Sequence, residues 1–116
     1  MTGRDPMRLG VAYGVIMPWM TNGVHPAEHF MPESFKAAGY QTAMVGKWHL
    51  GSVRLGSPVN PGASGFDSWL SAPNFYDNDA ILSLRGQAVQ TSGESSIVAA
   101  EAALDWIDET ARQDAP

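Results

Sequence analysis

Cysteine is absent from the 116 residues, so disulfides, thiolate chemistry and Cys-ligated zinc are excluded within them. Charge is scarce too. Charged residues make up 16% of the chain and hydrophobic ones 44%, the balance of a globular chain rather than a disordered one. Cations are few: 7 Lys and Arg stand against 12 Asp and Glu, for a formal net charge of −5. That deficit argues against a nucleic-acid partner, whose phosphates reward a basic face. An anionic small molecule remains compatible, because one local cation is enough to hold it. No apolar run approaches the roughly 18–20 residues of a membrane span. The first ten residues lack the apolar core of a signal peptide. No membrane span is therefore expected, and the compartment is not set by these residues.

At 116 residues the chain fits one small domain or part of a larger one. Residues 1–23, rich in Gly, Pro and Met with Tyr13 and Trp19 interspersed, read as a short helical end followed by an irregular loop. A helix is predicted over residues 26–38, with its core at 31–38. Pro32 and Glu33 suit the first turn, Gly39 the C-terminal stop, and Met31, Phe35 and Ala38 one apolar stripe. Residues 40–46 (YQTAMVG) read as a strand buried on both faces, so helix and strand form the second half of a βαβ unit. The four Gly and two Pro of residues 51–65 predict turns. Residues 66–76, with Phe66, Trp69, Phe75 and Tyr76, predict a helical turn and loop, and residues 81–90 one short strand. Residues 94–112 carry the clearest helical period, with Ile97, Ala100, Leu104, Ile107 and Ala111 on one face and acids opposite. In an alternating pattern a strand is due on both sides of these elements, so both ends read as cut.

The chemistry concentrates in GKWHLG at residues 46–51. Lys47 and His49 stand two apart just past a predicted strand, where open α/β sheets bind ligands. Extended backbone there sends both side chains to one side. Lysine supplies a point charge for an anionic oxygen, and histidine shuttles a proton near neutral pH.

Several runs occur together in order: TGR at 2–4, GVHP at 23–26, KAAGY at 36–40, TAMVGKWHLG at 42–51, GFD at 65–67 and FYDND at 75–79. This ordered set resembles the sulfatase family over nearly the whole chain, and GKWHLG is its most specific run. The resemblance implies an α/β fold, part of an alkaline-phosphatase-like sheet-and-helix sandwich, with residues 1–116 as a partial catalytic domain truncated at both ends. It implies hydrolysis of sulfate esters by a formylglycine nucleophile, with a calcium ion steadying the sulfate oxygens. Lys47 then contacts the sulfate and the formylglycine, and His49 hydrogen-bonds the formylglycine hydroxyl. The implied partner is a small-molecule or glycan sulfate ester, with no nucleic acid. Oligomeric state is not set by the resemblance. Members are often exported, periplasmic or lysosomal.

The departures from the family pattern concern the rest of the machinery. No C/S-x-P-x-R run, the source of formylglycine, stands in the 116 residues. The calcium-binding acids are likewise expected in segments outside them, so these residues alone are expected not to turn over substrate. Asp77, Asn78 and Asp79 occupy a substrate-side loop rather than the calcium site. His25 and His29 stand in no recognisable metal signature and read as loop-packing or surface residues. Trp19, Trp48, Trp69 and Trp106 read as core rather than sugar platforms, and Arg4 as a structural anchor. Two other readings share this pattern: a phosphodiesterase or phosphonate hydrolase of the same superfamily, and a non-catalytic or degenerate binding fragment.

Overall fold

The computed structural model describes residues 1–11, 14, 16, 20, 22–72 and 77–113. Trp19, read above as core, and Tyr13, Phe75 and Tyr76 lie outside the described residues. After a 3-10 turn at Pro6–Leu9 come helix α1 (Met31–Ala37), strands β1 (Ala43–Lys47), β2 (Ser68–Ala72), β3 (Ile81–Leu84) and β4 (Gln87–Gln90), and helix α2 (Ser95–Thr110). The strands form one sheet in the order β1-β2-β3-β4. This is the mixed α/β class expected from the sequence.

Helix α1 begins where its sequence signals put it. Pro32 stands in the first turn, and the Glu33 carboxylate accepts a hydrogen bond from the Phe30 N–H at 2.6 Å, satisfying a donor the helix leaves open. Its expected apolar stripe does not face a core. Met31 and Phe35 are 51% and 45% exposed, Ala38 is exposed, and the buried member of the helix is Pro32. Phe35 instead packs edge-on against Tyr40, with ring centroids 5.5 Å apart.

Strand β1 starts later than predicted and is half-buried rather than buried on both faces, because it has a strand neighbour on one side only. The 66–76 segment corrects the reading of a helical turn: residues 68–72 are the strand β2, parallel to β1 with Ala43 opposite Ser68 and Lys47 opposite Ala72. Tertiary pairing overrides a weak local pattern here, as strand propensity often allows. Parallel strands need a long crossover, and residues 48–67 supply it without a regular helix. Residues 81–90 hold two strands instead of one, turned at Arg85 and Gly86, both at positive φ (49° and 88°) as a tight two-residue hairpin requires.

Two apolar clusters organise the fold. One gathers Val24, Phe30, Trp48 and Phe66, with Leu9, Val11, Met44, Leu50 and Val53 against them. The other gathers Leu70, Ala72 and Leu82, with Val45, Ala80, Val98 and Ala102. Helix α2 therefore packs through Val98 and Ala102. The stripe expected to be buried faces outward instead: Ile97, Leu104 and Ile107 are 55%, 62% and 52% exposed. Among the described residues no helix is long and apolar enough to cross a membrane.

Candidate active site

The site is built at the carboxyl end of β1, beside its parallel neighbour. The ladder runs one residue beyond the strand, where the Trp48 N–H donates to the Ala72 carbonyl at 3.4 Å. Burial alternates across this end: Lys47 is exposed, Trp48 is 4% exposed, and His49 is half-buried. Lys47 and His49 thus flank an inward-pointing tryptophan, the order a period-two backbone produces. Both engage neighbouring groups.

Trp48 is the anchor of this arrangement. Its indole N–H donates to the Val59 carbonyl at 3.1 Å, which satisfies the buried polar end of the ring. It packs edge-to-face with Phe66, with 6.4 Å between ring centroids. The GVHP run braces the same loop from outside the sheet, with the Val24 N–H donating to the Leu50 carbonyl at 2.9 Å. Gly51 is demanded by close approach, since a Cβ there would lie 2.2 Å from a Val59 methyl and 2.8 Å from its carbonyl oxygen. The GVHP and GFD runs, through Val24 and Phe66, therefore have a mechanical part in holding residues 46–51 still.

A second device fixes the other end of β1. Thr42 donates its N–H (3.1 Å) and its hydroxyl (3.0 Å) to the Asp67 carboxylate. In return, the Asp67 and Ser68 N–H groups donate to the Thr42 carbonyl at 2.9 and 3.2 Å. Lys36 closes the clasp with an ion pair to Asp67 at 2.5 Å. Burial acts to raise the Asp67 pKa, but the hydrogen bonds from Lys36 and Thr42 outweigh it and hold the carboxyl below its ordinary value. This clasp sets the β1–β2 register, and through it the position of Lys47 opposite Ala72. Sequence reasoning quoted Lys36 and Asp67 within KAAGY and GFD but assigned them no role. The signal was the pairing of a lone Lys with a lone Asp across 31 residues, which only the folded chain brings together.

The remaining candidates resolve simply. Arg4 pairs with Glu28 at 2.5 Å, an anchor for the N-terminal segment. The His25 ring accepts from the Ala27 N–H at 3.1 Å, a loop-closing bond. His29 lies on the surface against Ser34 (2.7 Å) and Glu33 (3.6 Å). Trp48 and Trp69 are core residues, whereas Trp106 is only half-buried. Asp77, Asn78 and Asp79 are exposed and secure the entry to α2: Asn78 bridges to Glu94, the Asp79 carboxylate accepts from Gly93 N–H at 2.7 Å, and the Ser95 hydroxyl donates to the Asp77 carbonyl. Among the described residues no group of three or more His, Asp or Glu forms a metal-binding set. The described residues therefore do not fit a calcium site.

Comparison with known proteins gives the class. The sulfatase family model matches residues 1–116, and the chain belongs to the sulfatase family. It is 38% identical over 91 residues to N-acetylgalactosamine-6-sulfatase of Sus scrofa, covering 69% of this chain and 17% of the pig protein. It is 39% identical over 84 residues to arylsulfatase A of Homo sapiens, covering 72% of this chain and 16% of the human protein. The fold superposes on the crystal structure of Ps i-CgsB in complex with k-i-k-neocarrahexaose with a TM-score of 0.88 at 18% identity, over 100% of this chain and 30% of that one. The chain thus spans less than a fifth of the length of these curated relatives. The alkaline-phosphatase-like α/β architecture expected from the sequence is the fold observed.

Proposed function

We propose that the intact protein carrying these residues hydrolyses sulfate esters, and that residues 1–116 are part of its single catalytic domain. In this reading Lys47 and His49 are site residues, and a small-molecule or glycan sulfate ester is the substrate. The observation that carries it is the exposed–buried–half-buried alternation of Lys47, Trp48 and His49 at the carboxyl end of a parallel strand.

The Lys47 ammonium supplies positive charge to a sulfate oxygen, where negative charge grows as the ester bond breaks. A pre-placed cation costs no reorganisation at that moment, and its effect strengthens as water leaves the site. His49 holds or moves a proton at its ring nitrogen, a role imidazole fills because it can donate or accept a hydrogen bond. Trp48 stabilises the pair indirectly by fixing the backbone between them. The nucleophile and calcium implied by the family are supplied, in this reading, by residues other than these.

The test is Lys47→Ala and His49→Ala in the full-length enzyme, assayed with an aryl sulfate. Each is expected to cut kcat/KM by orders of magnitude, on the scale of about 100-fold or more for loss of one oxyanion donor. Rates near wild type in Lys47→Ala would remove the assignment.

A further inference from the structure

We propose that Asn22–Gly23 is a site of spontaneous covalent modification, where deamidation through a succinimide loosens the brace on residues 46–51. The proposal concerns the support of that loop and stands apart from the sulfate-ester reading. Asn22 is exposed, and Gly23 follows it directly. The carboxamide carbon of an asparagine is an electrophile, and the next backbone nitrogen lies within reach of a five-membered ring. A side chain on the following residue hinders that closure, and glycine has none. Among the described residues neither the Asn22 carboxamide nor the Gly23 N–H has a hydrogen-bond partner. Two other asparagines are protected. Asn60 is 5% exposed, its amide donates to the Arg54 carbonyl and accepts from the Ala63 N–H, and it precedes Pro61, which has no N–H. Asn78 precedes Asp79, whose N–H is occupied by the Gly93 carbonyl at 2.9 Å. Asn74 lies outside the described residues.

Water is the sole co-reactant. The Gly23 nitrogen bonds to the Asn22 Cγ and gives up its proton, the Cγ–Nδ2 bond breaks, and ammonia leaves. Water then opens the succinimide at either carbonyl. Opening at Cγ returns the main chain to its original path as aspartate. Opening at the backbone carbonyl gives isoaspartate, whose main chain runs through the former side chain and gains one carbon. Both products carry a new negative charge. The surroundings of Gly23 leave no slack for the longer chain. A Cβ on Gly23 would lie 2.5 Å from a Val59 methyl and 2.7 Å from the Leu50 carbonyl oxygen. The next N–H, that of Val24, donates to that same Leu50 carbonyl at 2.9 Å, and Val24 is 1% exposed. An extra main-chain carbon displaces Gly23 from its slot or Val24 from Leu50, and either change loosens the loop. The missing side chain that lets the brace close also lets the ring form.

The experiment incubates the full-length enzyme at mildly alkaline pH, folded and in urea, and follows each asparagine by peptide mapping with mass spectrometry. Folding is expected to slow conversion at Asn22 by less than about tenfold and at Asn78 by more than that, so Asn22 converts first in the folded enzyme. Protection of Asn22 by tenfold or more, or conversion at Asn78 as fast as at Asn22 in the folded enzyme, overturns the site. Hydrogen exchange of the purified isoaspartyl fraction reads the consequence. Its Val24 amide is expected to exchange about fivefold faster or more than in the unmodified enzyme, the scale of one lost hydrogen bond. Asn22→Asp, with the same charge on an unaltered main chain, should exchange at the wild-type rate. Unchanged Val24 exchange in the isoaspartyl fraction, or equally fast exchange in Asn22→Asp, overturns the loosening by a lengthened chain.

Discussion

The Trp48 cluster and the outer face of α2 are opposites in sequence and in structure. Residues 48–66 are rich in Gly and Pro and show no helical or strand period, yet they contribute Trp48, Val59, Asn60, Pro61, Ser64 and Phe66 to the buried interior. Helix α2 has the most regular apolar period in the chain, yet Ile97, Leu104 and Ile107 lie more than half exposed. Periodicity reports which residues share a face of a helix; it does not report which face meets the sheet. In α2 the meeting face carries Val98 and Ala102, which pack against the Leu70, Ala72 and Leu82 cluster, while Trp106 is half-buried.

The contrast can be broken in order of expected effect. Trp48→Ala removes the largest ring from the loop-built cluster and orphans the Val59 carbonyl, so unfolding free energy should fall by about 3–5 kcal/mol in chemical denaturation. A loss under about 1 kcal/mol there would show that the cluster is not the stabilising centre. Disrupting the Thr42–Asp67 clasp should come next. Asp67→Asn removes a half-exposed, solvent-screened ion pair and weakens two hydrogen bonds, for about 1 kcal/mol. Because the folded state depresses the Asp67 pKa, its stabilisation is complete above the unfolded carboxyl value of about 3.9 and is lost as pH falls through the folded value. Asp67→Asn should therefore flatten the acid limb of stability against pH, and an unchanged limb would mean that the clasp does not stabilise the fold. The smallest effect belongs to α2: Leu104→Ala should change stability by no more than about 0.5 kcal/mol, as for an exposed side chain. A loss of several kcal/mol would mean that the outer face is covered in solution.

Much of the candidate site was legible beforehand because its parts are local. Lys47 and His49 are two residues apart, and their strand ends where a βαβ reading put it, give or take one residue. Pro32, Glu33 and Gly39 marked α1 through backbone rules that act within a single turn. The strand at 68–72 was missed because SWLSA is short and aromatic-flanked, and its identity comes from hydrogen bonds to β1, 25 residues away. The clasp was missed for the same reason: Lys36, Thr42 and Asp67 are unremarkable singly and meet only across that crossover.

What the residues determined by themselves was family, fold class and the cores of both helices, since each depends on side-chain chemistry or on neighbours within a few positions. Tertiary structure alone decided which helix faces turn inward, that β2 pairs parallel with β1, and that Asp67 clasps Thr42 and Lys36 across the crossover. Those outcomes are set by contacts whose partners lie tens of residues apart, and burial is a property of the assembled surface rather than of any one segment.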